Sequence, residues 1–369
     1  MRVVRLRAPG GPEQLAVEEA DRPQPGPGQA LVRVHAAAIT RGELEWPVDR
    51  LPAIPSYELS GVVEEVGSGV TSVAAGDEVF ALTPFDRDGV AADYTPVPAE
   101  QLVARPRALG HNESAAIPLP ALTAWQGLFD HGRLGAGERV LIHGAAGSVG
   151  GYAVQLARAA GAHVIGTASA ASLDRVLELG AHQAIDAATR FEDAAEPVDV
   201  VFDTAGGERL RRSFAVLGPG GRLVSVAEEP PDGGVYFVVE PNRDQLTSIA
   251  RLVDAGELRR PSIDVFPLAS AREAFARSVE PRRPGKVVLA VAREATEFGR
   301  DASTQLLFDH SDECFSAVGP FGRVFLWASL RAEQQRLATS AHGRPGGRTQ
   351  STAATAAPRA ITRRRRTSD

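Results

Sequence analysis

Hydrophobic positions in the first 110 residues follow the pattern of short strands and turns. Two runs rich in β-branched residues, at 31–35 and 61–66, are flanked by clusters of glycine and proline such as PQPGPGQ. Runs of this kind, bounded by residues that favour turns, are typical of strands. No long amphipathic helix is indicated before Glu113, so the pattern predicts a compact β-rich domain.

A second pattern begins near Leu119, where short apolar runs alternate with amphipathic stretches. Alternation at this spacing indicates a parallel sheet with crossover helices. The apolar runs contain few polar residues, as expected where helices cover both faces of the sheet. The predicted strands are 139–143, 163–167, 183–186, 198–203, 222–226 and 285–291, and the predicted helices are 149–160, 172–179, 208–216, 242–255 and 269–278.

Composition and charge are those of a globular chain long enough for two domains. The 369 residues are 43% hydrophobic and 23% charged, with a net charge of −6. Residues 331–369 carry nine arginines against two acidic residues, so the rest of the chain has a net charge of −13. An acidic body argues against nucleic acid as the main partner.

The end of the chain has a different character. Residues 330–369 are rich in Arg, Ala, Thr, Ser and Gly and lack an apolar period, which predicts disorder. The four arginines at 363–366 allow two interpretations. They form either a solvated tail without a role or a patch that binds nucleic acid or directs localisation.

Cysteine content and the length of apolar runs bear on the cellular compartment. Cys314 is the only cysteine, so an intramolecular disulfide is impossible and a cysteine-based metal site is not expected. The first residues lack the apolar core of a secretory signal, and no apolar run approaches the ~18–20 residues that span a bilayer. We therefore expect a cytoplasmic protein.

The strongest local signal is a glycine motif, Gly144-x-x-Gly147-x-x-Gly150, between a predicted strand and a predicted helix. In a dinucleotide-binding turn, the first glycine permits the tight turn, the second lets a diphosphate approach the backbone, and the third lets helix and strand pack. The helix start adds free N–H groups and about +0.5 of charge. The alternative is a glycine-rich turn that binds nothing. The predicted cofactor-binding residues here are Gly144, Ala146, Gly147, Ser148, Val149 and Gly150.

The next predicted strand bears on the choice of cofactor. It ends in Gly166-Thr167-Ala168-Ser169, without the carboxylate that usually holds the ribose 2′-hydroxyl of NAD. Thr167 and Ser169 are predicted to bind the cofactor, which we expect to be NADPH, and Ser169 can donate a hydrogen bond to its 2′-phosphate. Arg175 could pair with the same phosphate, or could be an exposed helix cation. Asp174 is predicted to face away.

Several stretches resemble the medium-chain dehydrogenase/reductase superfamily, in its zinc-independent quinone oxidoreductase-like branch. They occur in the family's order: AAAITRGELEW, PSYELSGVVEEVGSGV, GDEVFAL, ALTAWQGLF, HGAAGSVG, VVFDTAGG and GKVVL. The resemblance implies an α/β protein. A GroES-like β-rich catalytic domain at 1–118 would receive the returning chain at 257–293. A Rossmann, doubly wound parallel-sheet domain would occupy 119–256, with the active site in the cleft and a homodimer joined through the Rossmann domains. Residues 294–369 would be an atypical, largely disordered tail.

Two departures from the zinc alcohol dehydrogenases concern the metal. Their cysteine and histidine ligands would fall at Thr40 and Tyr57, which are not plausible zinc ligands. The resemblance therefore implies that hydrogen bonds activate the carbonyl. Tyr57 is our candidate donor and general acid, with a core tyrosine bonded to a backbone carbonyl as the alternative. Thr40, which stands where quinone reductases carry asparagine, is a weaker candidate, and solvent is a further proton source. Some of those enzymes carry a tyrosine just after this position. This chain lacks that tyrosine, and Glu45 and Trp46 occupy the neighbourhood.

The resemblance also assigns residues around the cofactor. It places Thr123 near the nicotinamide ring and Lys286 near the cofactor cleft. It places Asp203 and Thr204, with Gly206, in the loop on the adenosine side, and Phe237 and Val238 where the backbone meets the carboxamide. We expect Glu58 to hold its loop. Candidates for an apolar substrate pocket, each also explicable as ordinary core, are Trp46, Trp125 and Phe129.

These features predict a zinc-independent enzyme that uses NADPH to reduce a quinone, an enone or an alkenal by hydride transfer. One alternative is a non-catalytic NADPH-binding protein of the same fold, acting as a sensor or a structural protein. Another gives the arginine-rich tail a role in binding RNA or an acidic partner.

Overall fold

The computed structural model describes residues 1–47, 50–231, 233–280 and 285–292. Cys314 and the predicted tail at 294–369, with its four consecutive arginines, lie outside the described residues. None of the described helices is both long enough and apolar enough to cross a membrane.

Strands and helices follow one another as the sequence pattern predicts, with some additions. The described strands are β1 (Arg2–Leu6), β2 (Leu15–Glu19), β3 (Gln29–Ile39), β4 (Glu58–Val66), β5 (Glu78–Leu82), β6 (Tyr94–Pro98), β7 (Val103–Ala104), β8 (Arg139–His143), β9 (His163–Ala168), β10 (Gln183–Asp186), β11 (Val198–Asp203), β12 (Leu217–Ser225), β13 (Val235–Tyr236), β14 (Ile263–Pro267) and β15 (Lys286–Ala290). The described α-helices are α1 (His111–Ala115), α2 (Pro118–Trp125), α3 (Ser148–Ala159), α4 (Leu173–Glu178), α5 (Gly207–Arg212), α6 (Arg243–Asp254) and α7 (Ala271–Val279).

A seven-stranded sheet forms the β-rich part, in the order β14-β15-β3-β4-β5-β7, with β6 also pairing with β3. Strand β3 runs antiparallel to both β4 and β15. Ala38 is paired with Glu58, and Ile39 is paired with Val287. The end of β3 therefore lies beside the starts of β4 and β15. Thr40, Glu58 and Lys286 thus lie together where these three adjacent strands begin or end.

The second sheet has six parallel strands in the order β10-β9-β8-β11-β12-β13. The chain runs outward from β8 to β10 and then returns to add β11 on the other side of β8. The order thus reverses between β8 and β11, and ligands of such sheets bind at the carboxyl ends of the strands beside this reversal. The predicted α/β class, with a GroES-like part and a Rossmann part, is confirmed.

Apolar residues fill the interior of each sheet in its own cluster. Strand β8 is buried throughout its three central residues, which matches helices packed on both faces. Helix α3 packs against it, and the buried residues of that helix include Gly150, Ala153 and Val154. This packing fixes the direction of α3, and the start of that helix lies directly after the glycine motif.

Candidate active site

The turn between β8 and α3 contains two glycines that the local geometry requires. Gly144 has a φ of +71°, and a Cβ there would overlap with the hydroxyl of Thr204. A Cβ at Gly150 would overlap with the carbonyl oxygen of Gly144. Gly147 is different, because its φ is −74° and a Cβ would lie 3.2 Å from the Gly144 oxygen, a contact that a small shift relieves. Packing alone therefore does not demand glycine at 147.

The first turn of α3 offers backbone donors that the helix itself does not use. The N–H of Gly151 donates to the carbonyl of Gly147 at 2.8 Å, which begins the helical ladder. The N–H groups of Ser148, Val149 and Gly150 precede it and lack helical acceptors. Together with the positive end of the helix dipole, they form a site suited to a phosphate group.

A cleft opens beside this helix start, between α3, α4 and two later segments of the chain. Gly147, Ser148 and Tyr152 line it from α3. Four of its side chains are cationic, and none of the described residues that line it is acidic. The cations are Arg175, Arg259, Arg260 and Lys286. Such a lining favours an anionic ligand.

The two residues predicted to hold a 2′-phosphate do not lie together in this cleft. Arg175 lines the cleft, and its side chain is half-buried rather than fully exposed. Ser169 is exposed just beyond the end of β9, with its hydroxyl 3.1 Å from that of Ser172. Asp174 is exposed on α4. The end of β9 therefore presents hydroxyls rather than a carboxylate.

A buried ion pair connects the three strand ends at the edge of the first sheet. The ammonium of Lys286 pairs with Oε1 of Glu58, and both side chains are nearly inaccessible, at 6% and 0% exposure. The Thr40 hydroxyl accepts from Lys286 and donates to Glu58, both at 3.3 Å. Oε2 of Glu58 accepts from the backbone N–H of Leu119 at 2.8 Å, which docks the start of α2. Burial raises the pKa of Glu58, and Lys286 opposes that shift.

Glu43 is a buried acid that the sequence prediction missed. Its two carboxylate oxygens accept from the backbone N–H groups of Thr40 at 2.8 Å and Ser56 at 2.9 Å. Ser56 has a φ of +65°, an unusual conformation for a serine. Burial raises the pKa of Glu43 to about 8. The acid thus joins the segments that carry Thr40 and Tyr57, and its spacing of three residues from Thr40 was a detectable signal.

Tyr57 belongs to a half-buried aromatic group. Its ring stacks on Trp46 with centroids 6.0 Å apart and meets Phe85 edge-on at 5.1 Å. Trp125 instead packs with Phe129 at 5.3 Å. The three aromatic residues proposed for one substrate pocket therefore fall into two groups, with Trp46 beside Tyr57 and Phe85, and Trp125 beside Phe129.

Polar residues occupy the carboxyl ends of the parallel strands, but their side chains are bonded to one another. Thr167 Oγ1 lies 2.9 Å from Nδ1 of His143, whose pKa burial lowers to about 4. Asp203 accepts from the hydroxyl of Ser225 at 2.8 Å and from the N–H of Gly206 at 3.0 and 3.1 Å. The Asp203 side chain therefore shapes the loop that follows β11.

The Thr204 hydroxyl, which begins that loop, donates to the carbonyl of His143 at 2.7 Å. This bond ties the loop to the glycine turn. Thr167, Asp203 and Thr204 thus support the floor of the site, and any contact they make with a cofactor would use backbone atoms or the remaining hydroxyl lone pairs.

The remaining predicted residues lie around α2 and its continuation. Thr123 is buried and donates to the carbonyl of Leu119 at 2.6 Å. Phe237 is buried, with its ring 4.3 Å from that of His131, whereas Val238 is 59% exposed. Both line a second cleft that Gln126 and Glu240 also border. Phe237 and Val238 are not among the residues that line the cleft beside α3.

Tyr152 is a further residue that sequence reasoning missed. It is 5% exposed and lines the cleft beside α3. Its hydroxyl is buried and has no hydrogen-bond partner among the described residues. A buried hydroxyl in this state costs stability, so its presence indicates a ligand group or a water molecule as the missing partner. The helical period gave no signal, because a tyrosine at this position also fits an apolar face.

Metal coordination and sequence comparisons complete the description of the site. Within the described part of the chain, no group of three or more His, Cys, Asp or Glu side chains is arranged to hold a metal. Residues 26–107 match the model of an alcohol dehydrogenase GroES-like domain, and residues 179–289 match that of a zinc-binding dehydrogenase.

Similar proteins cover most of the described chain. The chain is 33% identical to the probable zinc-binding oxidoreductase, mitochondrial, of Arthroderma benhamiae, over 73% of this chain and 92% of that protein. It is 32% identical to the NADPH-dependent alkenal/one oxidoreductase, chloroplastic, of Arabidopsis thaliana, over 71% of this chain and 72% of that protein. The solved structure of the quinone oxidoreductase from Coxiella burnetii superposes with a TM-score of 0.73 at 29% identity, covering 79% of this chain and 99% of that one.

Together with these relatives, the two sheets and the glycine turn indicate an oxidoreductase with a nicotinamide nucleotide as cofactor and a small molecule as substrate. More particularly, the chain belongs to the medium-chain dehydrogenase/reductase superfamily, in its quinone oxidoreductase-like branch.

Proposed function

We propose that this protein is a zinc-independent enzyme that uses NADPH to reduce a quinone or the conjugated double bond of an enone or alkenal. The start of α3 carries the proposal, because its free N–H groups and the cations Arg175 and Lys286 line one cleft. Relatives whose names include alkenal/one and quinone oxidoreductase support this substrate class.

The residues present fit a nicotinamide nucleotide. The first N–H groups of α3 have no acceptor within the helix. The Tyr152 hydroxyl and the Arg175 Nε are side-chain donors that lack an acceptor among the described residues. When bound, NADPH supplies a hydride from C4 of its nicotinamide ring. The protein holds the diphosphate at the helix start and orients the ring against the acceptor.

The reduced acceptor also takes up a proton, which must come from a group other than the cofactor. The Thr40 hydroxyl already donates to Glu58, so its proton is committed to the buried pair. Tyr57 is therefore our candidate to donate a hydrogen bond to the acceptor oxygen, and either Tyr57 or solvent supplies the proton. A preorganised donor to a developing oxyanion is worth about 3 kcal/mol of barrier.

Zinc does not fit the corresponding positions. Thr40 and Tyr57 stand where the zinc enzymes carry a cysteine and a histidine, and the Thr40 hydroxyl is bonded within the Glu58–Lys286 pair. Zinc takes thiolate, imidazole or carboxylate ligands. We therefore assign no step to the metal, although the description of one family model and the name of one relative contain the word zinc.

The preference for NADPH over NADH rests on the end of β9. The exposed hydroxyls of Ser169 and Ser172 lie there, and no carboxylate follows the strand directly. A carboxylate at this point would repel a 2′-phosphate. The exposed Asp174 is one turn further on.

We also propose a homodimer joined through the Rossmann sheets. β13 is the terminal strand of that sheet, and Val235, Tyr236 and Val238 are 41%, 47% and 59% exposed. An exposed, partly apolar strand edge is suited to pairing with its copy across a two-fold axis. Sedimentation equilibrium should give twice the chain mass, and a monomer would refute this part of the proposal.

The enzymatic proposal is tested by following NADPH oxidation at increasing concentrations of a quinone, an enone and an alkenal, each with and without a metal chelator. Parallel assays use NADH as donor and a saturated ketone as acceptor. We expect turnover of at least one conjugated acceptor, a preference for NADPH and no effect of the chelator. Nucleotide binding without turnover of any acceptor would favour a non-catalytic sensor, and loss of activity on chelation would refute zinc independence.

A further inference from the structure

Two of the four cations in the cleft beside α3, Arg175 and Arg259, have no side-chain partner among the described residues, and of these Arg175 is half-buried whereas Arg259 is exposed. Lys286 is paired with Glu58, and Arg260 is paired with Glu113 at 3.2 Å. Arg175 has no hydrogen-bond or ion-pair partner among the described residues, and its Nε is buried. The other two nitrogens of its guanidinium are accessible, and an anion that enters the cleft can supply acceptors for the whole group.

The position of Arg175 identifies which part of the cofactor it faces. It lines the cleft together with Gly147 and Ser148, where the N–H groups at the start of α3 favour a diphosphate. The unpartnered hydroxyl of Tyr152 lines the same cleft. Ser169, which marks the ribose end of the site, is not among the lining residues.

We propose that Arg175 binds the diphosphate of the cofactor and not its 2′-phosphate. This role presupposes the proposed nicotinamide cofactor and refines it. Because NADPH and NADH carry the same diphosphate, Arg175 then contributes equally to the binding of both. Discrimination between the two nucleotides is left to the hydroxyls of Ser169 and Ser172 beyond β9.

The test compares the dissociation constants of NADPH and NADH for the wild type and three variants by calorimetric titration. R175M removes the charge and keeps a long apolar stem, and S169A removes one hydroxyl at the ribose end. R251M, on the exposed side of α6, is the matched control for loss of one positive charge. R175Q repeats the comparison if thermal unfolding shows that R175M folds poorly.

We expect R175M to raise the dissociation constants of NADPH and NADH by about the same factor, near tenfold, because one charge-assisted contact is lost in each case. S169A should raise the dissociation constant of NADPH several-fold and leave that of NADH within twofold of the wild-type value. R251M should change neither constant. Selective weakening of NADPH by R175M would instead place Arg175 at the 2′-phosphate, and unchanged binding of both would remove it from the site. If the wild type binds both nucleotides, either of these results for R175M overturns only the role of Arg175. If the wild type binds neither nucleotide, the proposed function is overturned as well.

Discussion

One lysine, one threonine and one glutamate share a single set of hydrogen bonds at the end of β3. The Glu58–Lys286 pair is almost completely buried, and the Thr40 hydroxyl bridges its two members. Removing one member of a buried pair leaves a charge without compensation, which is far more costly than removing both. The pair therefore fixes both the edge of the sheet and the position of the hydroxyl.

Substitution of Lys286 by methionine should lower the free energy of unfolding by about 3–5 kcal/mol, because Glu58 then loses its partner. The double variant K286M/E58L should recover at least half of that loss. Urea denaturation of the single and double variants measures the coupling. Equal destabilisation by K286M and by the double variant would show that an uncompensated Glu58 charge does not cause the loss.

Tyr57 is the residue whose role in catalysis is most easily separated from its role in packing. Y57F keeps the ring contacts with Trp46 and Phe85 and removes only the hydroxyl. We expect kcat to fall about a hundredfold, because one donor to the developing oxyanion is lost, with little change in melting temperature. Y94F, on strand β6 with Arg22 over its ring, serves as control. Activity within twofold of the wild type would mean that solvent or another group donates.

Glu43 should make stability depend on pH. Its pKa is raised from 4.5 to about 8 in the folded protein, so the folded state holds a proton that the unfolded state releases. Stability is therefore highest below pH 4.5 as far as this group is concerned, and is lost as pH rises towards 8. Buried His143, with its pKa lowered to about 4, acts in the opposite direction, but only below about pH 6.5.

Between about pH 6.5 and 8 the histidine no longer contributes, and comparison with E43Q separates Glu43 from other buried acids whose pKa is raised, such as Glu58. Across this pH range, the free energy of unfolding of the wild type should fall by up to about 1.4 kcal/mol per pH unit, and that of E43Q should change much less. Urea denaturation at three pH values gives both slopes. Parallel slopes for the two proteins would show that Glu43 ionises at an ordinary pH.

Among the elements, those with clear amphipathic periods were predicted within a few residues. The predicted helices at 149–160 and 242–255 are α3 and α6, at Ser148–Ala159 and Arg243–Asp254. Helix α2 was missed because all eight of its residues are buried, which leaves no polar face to mark a period. The short strand β13 and the partly exposed strand β14 were missed because they lack a buried alternation.

In the glycine turn, we expect Gly150 to be required for stability and Gly147 for binding of the cofactor. G150A should lower the free energy of unfolding by more than about 2 kcal/mol, because its Cβ overlaps with the Gly144 carbonyl. G147A should cost less than about 1 kcal/mol, yet weaken NADPH about tenfold by holding the diphosphate away from the helix start. Thermal unfolding and fluorescence titration of NADPH check the pair. Equal NADPH affinity of G147A and the wild type would contradict the assigned role of Gly147.

At the scale of the whole molecule, the site depends on contacts between distant parts of the chain. The Ser148 hydroxyl donates to the carbonyl of Gly285 at 3.3 Å, although the two residues are 137 positions apart. The N–H of Arg259 donates to the side chain of Gln155 at 2.8 Å. Local sequence patterns carry no information about such contacts. The glycine motif, and Arg175 and Lys286 as residues near the cofactor, could therefore be predicted, but the cleft itself and its cations Arg259 and Arg260 could not.

The cofactor site and the acceptor site differ in how many parts of the chain form them. The diphosphate site is formed by one helix start and follows from the motif, whereas the acceptor site depends on how Tyr57, Trp46 and α2 come together. The acidic body of the chain, with its net charge of −13 before residue 331, does not oppose a cationic cleft, because charge is distributed locally.

The most direct test is a calorimetric titration of the wild-type chain with NADPH. We expect saturable binding of one NADPH per chain, since the start of α3 provides one diphosphate site. The absence of measurable binding of NADPH or NADH at millimolar concentration, by a chain that unfolds cooperatively, would contradict the account.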